Sequence, residues 1–195
     1  TSSPAAAASQ RPSTACATEF MKLCVYGSLS EPKQSGWSAQ AAQLGRELAH
    51  RGYTLVFGGG GTGLLGALAQ AALEADGSLL AVVRTDSTWE TPLPGTYHKV
   101  PAHGYRRRKQ QMEELADAFL ILPGSIGTLD ECVETLILES RWKPVVLWNL
   151  DGYYNGLKDF FCRARAEGLL SQQWDFAPWF CETTEEIWTA LERTE

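Results

Sequence analysis

The sequence predicts a single α/β domain in which a parallel β-sheet is covered by helices on both faces. Apolar segments of strand length alternate with segments of helix length, and turns containing glycine or proline separate them. Strands separated by helices at this rhythm are typical of a parallel sheet with helices packed on either side. The length of 195 residues suits one domain with a substantial core. The chain shows neither an internal repeat nor a linker.

The first half of the chain alternates three predicted strands with two predicted helices. The strands are short apolar runs, and the first helix has an apolar stripe formed by Ala41, Leu44 and Leu48. In order, these elements are a strand over Met21–Tyr26, a helix over Ser38–His50, a strand over Tyr53–Phe57, a helix over Leu64–Ala75 and a strand over Leu79–Val83.

The second half begins with a loop rich in proline and threonine, over Thr85–Pro101. The elements predicted after it are a helix over Tyr105–Ala116, a strand over Ala118–Leu122, a helix over Leu129–Trp142, a strand over Pro144–Trp148, a helix over Gly156–Glu167 and a helix over Thr183–Arg193. The last helix opens with a capping box of Thr183 and Glu186. The whole pattern is that of a Rossmann-like fold.

The N-terminal segment differs in composition from the rest of the chain. Thr1–Thr18 consists mainly of Ala, Ser, Thr and Pro, and Arg11 is its only charged residue, so it cannot build a core. We expect residues 1–19 to form a low-complexity tail and residues 20–195 to form the folded domain. The tail is either a flexible segment or part of a transit peptide, which also tends to lack acidic residues.

Composition and charge argue against several broad classes of protein. The net charge of −6 argues against a general nucleic-acid or membrane surface, and the apolar stretches are too short to span a bilayer. Five scattered cysteines without CxxC spacing and three histidines indicate neither a zinc site nor a disulfide framework. We therefore expect a cytoplasmic protein, or an imported organellar protein if the tail is a transit peptide.

A glycine-rich turn, Gly58–Gly66, joins the second strand to the next helix. Gly58, Gly60 and Gly63 match the GxGxxG pattern of dinucleotide-binding turns. Binding of a nicotinamide dinucleotide also needs an acidic residue after the next strand, to hold a ribose hydroxyl. Arg84 occupies that position, with Asp86 close by. A P-loop is excluded because no Gly-Lys-Ser/Thr follows. The simpler alternative is that the glycines only permit a tight turn.

A second turn, Pro123–Thr128, follows the strand Ala118–Leu122. Helix amides at such a turn favour an anion, and the carboxylate of Glu131 lies one turn further on. Since ligands of open α/β sheets bind at the carboxyl ends of the strands, the two turns predict a site for a nucleotide-sized ligand. Alternatively, Thr128 and Glu131 form a capping box, in which the glutamate only satisfies a backbone amide.

Four consecutive basic residues, Arg106–Lys109, open the helix before that strand. Positive charge at a helix N-terminus opposes the helix dipole, so either solvent tolerates it or an anion compensates it. The four side chains spread over a full helical turn, and at most two of them can face one ligand.

Three motifs, in this order and at compatible spacing, resemble the LONELY GUY (LOG) family of cytokinin-activating nucleoside 5′-monophosphate phosphoribohydrolases. Gly58–Gly66 is similar to the family's GGGxxGLMG turn, and Pro123–Glu131 is similar to its PGGxGTxxE signature. Arg108 and Lys109, with Met112, resemble the second part of its MHxRKxxM segment. The similarity extends from about Met21 to the C-terminal helix.

The resemblance implies a homodimer of Rossmann-like subunits that cleaves the N-glycosidic bond of a nucleotide into free base and ribose 5-phosphate. It implies that Arg108 and Glu131 are the catalytic pair and that no metal or other cofactor is needed. A carboxylate can stabilise an oxocarbenium-like sugar and orient water, whereas arginine stays protonated and can only anchor or position. The implied phosphate- and substrate-binding residues are Gly59, Gly60, Gly61, Gly63, Lys109, Gly124, Ser125, Gly127 and Thr128.

The chain departs from the family pattern at three places. Ser125 replaces the second glycine of PGG, Arg106 and Arg107 replace a histidine and a glutamate, and the loop Thr85–Pro101 is shorter. The substrate is therefore either a cytokinin riboside monophosphate or another nucleotide such as AMP. The alternative function is a non-enzymatic carrier of a phosphorylated ligand such as molybdenum cofactor. A nicotinamide oxidoreductase is a third interpretation, which lacks the expected ribose-binding acid.

Overall fold

A computed structural model describes residues 21–34, 36–86, 91–140, 142–170 and 178–192. The predicted tail, residues 1–19, lies outside these ranges, as do Arg193 and four residues of the loop Thr85–Pro101. In the described ranges, no helix is long and apolar enough to cross a membrane.

Within the described residues, the core is a seven-stranded sheet in which every pair of neighbouring strands is parallel. The strands are β1 (Lys22–Tyr26), β2 (Thr54–Phe57), β3 (Ser78–Arg84), β4 (His98–Ala102), β5 (Ala118–Ile121), β6 (Val145–Trp148) and β7 (Trp179–Cys181). Their order across the sheet is β4-β3-β2-β1-β5-β6-β7. The predicted α/β class and parallel sheet are confirmed.

Helices cover both faces of this sheet, as predicted. They are α1 (Trp37–His50), α2 (Gly63–Glu74), α3 (Tyr105–Leu115), α4 (Ile126–Leu138), α5 (Asn155–Ala166) and α6 (Thr184–Leu191), and a short 3-10 helix spans Leu150–Gly152. One buried cluster contains side chains of α1, α2 and α6, and a second contains side chains of α3 and α4 with part of α5. The capping box of Thr183 and Glu186 is present at α6.

Two strands were not predicted. Strand β4 lies partly inside the predicted loop Thr85–Pro101, and β7 falls where no element was expected. Both are edge strands, and β4 is mostly exposed, so its sequence HKVPA lacks a continuous apolar run. Pro101 is compatible with this edge position, because a proline cannot donate to a further strand.

The predicted start of α4 at Leu129 was also wrong. The helix begins three residues earlier, at Ile126, and ends at Leu138 rather than at Trp142. Gly127 resembles a turn residue in sequence, and Ile126 is 80% exposed, so neither residue belongs to the apolar stripe that marks the helix.

The strand order reverses between β1 and β5. After β1 the chain builds β2, β3 and β4 on one side, and after β5 it builds β6 and β7 on the other. The two turns that follow β1 and β5 therefore leave the sheet in opposite directions and open a crevice between them. Such a reversal is where open α/β sheets bind ligands.

Candidate active site

A cleft of about 230 Å³ lies at this reversal, at the carboxyl ends of the central strands. Its walls come from the turns after β1, β2 and β5 and from the facing sides of α3 and α4. The residues around it include Tyr26, Ser28, Ser30, Gly58, Gly60, Tyr105, Arg108, Lys109, Met112, Ser125, Gly127, Thr128 and Glu131.

The cleft brings together most of the residues predicted for the site. Both members of the expected catalytic pair line it, Arg108 from α3 and Glu131 from α4. The predicted binding residues along its walls are Gly60, Lys109, Ser125, Gly127 and Thr128. Gly59, Gly61, Gly63 and Gly124 lie outside its lining, although each belongs to one of the two turns.

The glycine-rich turn is largely closed by contacts within the protein. The amide of Gly61 donates to the Thr91 carbonyl at 2.8 Å, and that of Gly63 donates to Glu31 Oε1 at 3.1 Å. A carboxylate of the chain itself therefore occupies the N-terminus of α2. A side chain at Gly61 would also come within 2.7 Å of Leu93 Cα. These two glycines hold neighbouring loops in place, and the interpretation that they permit a tight turn describes this geometry.

The turn after β5 is open to the cleft. Ser125 is the N-cap residue of α4, its side chain is exposed and makes no capping hydrogen bond, and Gly127 beside it is exposed as well. The amides of the first helical turn have no acceptor inside a helix and attract an anion. The turn itself is fixed by two phenols, since Tyr153 donates to the Gly124 carbonyl and Tyr154 to the Leu122 carbonyl, each at 2.7 Å.

Thr128 does not lie at the mouth of the helix as the sequence predicted. It is the third residue of α4, and its side chain is buried. A capping box requires its first residue in the N-cap position, which Ser125 occupies. The capping-box interpretation of Thr128 and Glu131 is therefore wrong, and the position of Glu131 needs another explanation.

Helix α3 turns one face of its basic segment toward the cleft. Arg108 is 7% exposed and Lys109 is 8% exposed, and both line the cleft. Arg106 and Arg107 are exposed on another side of the helix, where Arg107 lies 3.6 Å from Glu114. Two of the four basic residues thus face the site, the maximum expected from helical geometry.

Lys109 is held by carboxylates of α4. Its Nζ donates to Asp130 Oδ2 at 2.8 Å and also pairs with Glu134. Burial alone would lower the pKa of Lys109, but the hydrogen bonds that its ammonium group donates to these two carboxylates raise the pKa above its ordinary value. The contacts connect α3 with α4 directly beside Arg108 and Glu131, the expected catalytic pair.

The floor of the cleft below Glu131 is apolar and tightly packed. Tyr26 is 1% exposed, and its pKa is raised well above the ordinary value, first by burial and further by charges that include Glu131. Burial likewise raises the pKa of the Cys24 thiol. Glu131 itself is half-buried. A carboxylate in such surroundings interacts strongly with a positive charge that develops nearby.

Sequence reasoning missed several residues of the cleft. Ser28 and Ser30 follow β1, and Tyr105 begins α3. The rule that ligands bind beside the strand where the order reverses points to the turn after β1, and it identifies the two serines once the strand order is known. Tyr105 gives no comparable signal, because its contact with Arg84 of β3 forms only in the folded chain.

Comparisons with known proteins show which family the chain resembles. A family model described as "Possible lysine decarboxylase" matches residues 65–191. A protein of Oryza sativa subsp. japonica named "Probable cytokinin riboside 5'-monophosphate phosphoribohydrolase" is 37% identical over 159 residues, which are 80% of this chain and 65% of that protein. A cytokinin riboside 5'-monophosphate phosphoribohydrolase of Arabidopsis thaliana is 37% identical over 158 residues, covering 79% of this chain and 73% of the relative.

A solved structure supports the fold. The molybdenum cofactor binding protein of Rippkaea orientalis superimposes with a TM-score of 0.67 at 20% sequence identity, covering 88% of this chain and 95% of that one. At this identity the likeness concerns the fold alone. The family model and the plant relatives show that the chain belongs to the LOG-type family, which carries the description "Possible lysine decarboxylase".

Proposed function

We propose that the protein is a nucleoside 5′-monophosphate phosphoribohydrolase. One observation supports this most directly: Arg108 of α3 and Glu131 of α4 line the same cleft, next to the open N-terminal turn of α4. The cleft thus offers a cation, a carboxylate and an anion-binding turn in one place. The named plant relatives act on a cytokinin riboside 5′-monophosphate, and AMP has the same sugar phosphate.

In the proposed reaction, the 5′-phosphate binds at the first turn of α4, near Ser125 and Gly127. This places the ribose alongside Glu131, one helical turn further on. As the bond from C1′ to the base breaks, the sugar acquires positive charge, which the Glu131 carboxylate stabilises while it orients a water molecule. The water oxygen bonds to C1′, and the departing base takes up a proton. The products are free base and ribose 5-phosphate.

Arg108 acts as an anchor in this scheme. A guanidinium remains protonated at neutral pH and forms paired hydrogen bonds with carboxylates and phosphates. Its burial in the wall of the cleft fixes its direction before the substrate arrives, and a fixed cation is more effective than a mobile one. We do not assign this anchoring role to Lys109, because Asp130 and Glu134 already bind its ammonium group.

The alternative, a carrier of a phosphorylated ligand such as molybdenum cofactor, is supported by Ser125. Its hydroxyl is exposed at the open turn and is available to an anion. The extra charge of Arg106 and Arg107 would also suit a phosphorylated ligand, but both side chains lie outside the lining of the cleft. The geometry therefore favours hydrolysis over storage.

The decisive experiment replaces Glu131 by glutamine. We expect release of free base from AMP and from a cytokinin riboside monophosphate to fall by about 10²- to 10⁴-fold, the usual contribution of a positioned acid–base group, while AMP binding measured by calorimetry persists. Glu114→Gln is the matched control, since Glu114 is an exposed residue of α3 that pairs with Arg107. Tight binding of a phosphorylated ligand by the wild-type protein, without turnover of any nucleotide, would establish the carrier instead.

We further propose that the chain forms a homodimer through α4. Ile126, Val133, Ile137 and Leu138 are 41–80% exposed on this helix, and with Leu129 they line a shallow groove along it. An exposed apolar face of this kind is typical of a protein interface. We propose no nucleic-acid or membrane partner, because the net charge is −6.

A further inference from the structure

We propose that Tyr105 is the platform on which the aromatic base of the nucleotide stacks. The inference rests on the proposed function and adds to it the residue that recognises the base. Tyr105 is not one of the residues that match the family motifs, and it is not part of the expected catalytic pair.

The position of Tyr105 suits this role. It is the first residue of α3, and with Arg108, Lys109 and Met112 it forms the face of the helix that lines the cleft. Unlike those three residues, Tyr105 is half exposed, with 50% of its surface open to solvent. It therefore lies where the cleft meets solvent, whereas Arg108 lies in the buried wall.

The size of the cleft also requires a group near its mouth. Pockets for complete small ligands usually measure about 300–1,000 Å³, and this cleft measures about 230 Å³. With the sugar phosphate between α4 and Arg108, the base extends toward the opening. An aromatic ring at that point offers a flat, apolar surface with little conformational freedom to lose.

The side chain of Arg84 packs against one face of the Tyr105 ring. The guanidinium carbon of Arg84 lies 4.2 Å from the ring centroid, in the geometry of a cation–π contact. Arg84 comes from the end of β3, and its side chain is only 11% exposed. One face of the tyrosine ring is thus covered by a cation of the sheet.

Arg84 is fixed in turn by Asp86. Two N–H groups of Arg84 donate to the two carboxylate oxygens, at 3.1 and 3.2 Å. Asp86 Oδ1 also accepts a hydrogen bond from the amide of Gly104 at 3.2 Å, and Gly104 directly precedes Tyr105. The hydrogen bond from Arg84 lowers the pKa of Asp86 to about 2, so this brace stays ionised throughout the pH range of an enzyme assay.

Stacking on such a platform predicts a preference among bases. The contact depends on ring area, so a purine gains more from it than a pyrimidine does. Stacking of one base on an aromatic side chain contributes about 1–3 kcal/mol, which corresponds to a factor of about 5–150 in affinity. Tyr105 would therefore favour purine nucleoside monophosphates.

The test compares Tyr105→Phe and Tyr105→Ala in the full chain. We expect Tyr105→Phe to retain the KM for AMP, and Tyr105→Ala to raise it about 5- to 150-fold with a smaller change in kcat. The preference for AMP over CMP should decrease in Tyr105→Ala. Inhibition by ribose 5-phosphate, which has no base, should be unchanged in both variants. Arg107→Ala is the control, because it removes an exposed charge from the same helix outside the cleft.

A spectroscopic readout reports stacking itself. The fluorescence of 2-aminopurine riboside 5′-monophosphate is quenched when the base stacks, so wild type and Tyr105→Phe should quench it on binding and Tyr105→Ala should not. If wild type cleaves AMP and Tyr105→Ala keeps the same KM, base preference and quenching, the platform is refuted while the proposed function stands. If wild type neither binds nor cleaves any nucleoside monophosphate, the proposed function fails and this assignment fails with it.

Discussion

At the scale of single residues, the position of Arg108 depends on the absence of a side chain at Gly58. A Cβ atom at Gly58 would overlap Nη2 of Arg108, so the guanidinium rests directly on the backbone of the glycine-rich turn. This contact gives the turn a function that does not require it to bind phosphate. The first glycine of the motif makes room for Arg108, the proposed anchor of the substrate, and Gly61 and Gly63 hold the adjacent loops.

Replacing Gly58 by alanine should therefore impair catalysis by displacing Arg108. We expect kcat/KM for AMP to fall about 10²-fold, the usual effect of misplacing a catalytic group by about 1 Å, while α-helical content and Tm change little. In an Arg108→Ala background, the same substitution should have almost no further effect. Gly156→Ala is the matched control, because nothing lies within 4 Å of a Cβ at that position. Wild-type kinetics for Gly58→Ala would show that Arg108 tolerates displacement.

Among the secondary-structure elements, sequence patterns correctly predicted the strands whose side chains are buried. All four residues of β5 and of β6 are buried, and both strands were predicted to within one residue at each end. The edge strands β4 and β7 escaped prediction because partial exposure removes the apolar signal. The start of α4 was misplaced for the same reason, since exposed residues open that helix.

The sequence likewise predicted one part of the candidate site and missed another. The motifs pointed to Arg108 and Glu131, because their residue types and spacing are specific. They did not show that a carboxylate of the chain occupies the N-terminus of α2, or that Arg84 supports Tyr105. These contacts join residues far apart in sequence, and only the folded chain brings them together.

The contact between α3 and α4 concentrates charge next to the proposed catalytic pair. Glu113 of α3 is 5% exposed, and its Oε1 lies 3.4 Å from the Thr135 hydroxyl of α4. Burial raises the pKa of Glu113, and repulsion from Glu134 and Glu139 raises it further. The folded protein therefore disfavours the ionised form of this carboxylate.

Glu113→Gln should consequently stabilise the protein at neutral pH. The raised pKa means that the folded state holds the proton more tightly than the unfolded state, so the wild type loses stability as pH rises from the ordinary carboxyl pKa through the folded one. We expect the variant to unfold about 2 °C higher at pH 7.5, allowing for solvent screening of the charge. The difference should shrink toward zero as pH falls below the ordinary carboxyl pKa.

Calorimetric melting curves across this pH range measure the effect. Glu114→Gln serves as the control, because that neighbouring side chain is 52% exposed and should show no such pH-dependent difference. A lower Tm for Glu113→Gln at neutral pH would mean that the ionised carboxylate is favourably paired between the two helices.

At the scale of the whole molecule, α4 connects the cleft with the proposed subunit interface. One side of this helix presents Glu131 to the cleft, and another side presents Ile137 and Leu138, which are 63% and 53% exposed. Contact with a second subunit would remove this apolar surface from water, a gain of about 25 cal/mol for each Å² buried. It would also restrain the helix that holds Glu131, the proposed catalytic carboxylate.

Ile137→Asp should therefore prevent formation of the proposed dimer. A carboxylate at this position would have to lose its hydration on association, and two copies would meet across a symmetric interface. Light scattering after size-exclusion chromatography should show twice the chain mass for wild type and a single chain mass for the variant. Ala39→Asp is the control, since Ala39 is exposed on α1, on the opposite face of the sheet. A monomeric wild type would show that the chain forms no dimer. An Ile137→Asp protein that remains dimeric would place the interface elsewhere. In either case the exposed face of α4 would need a different partner.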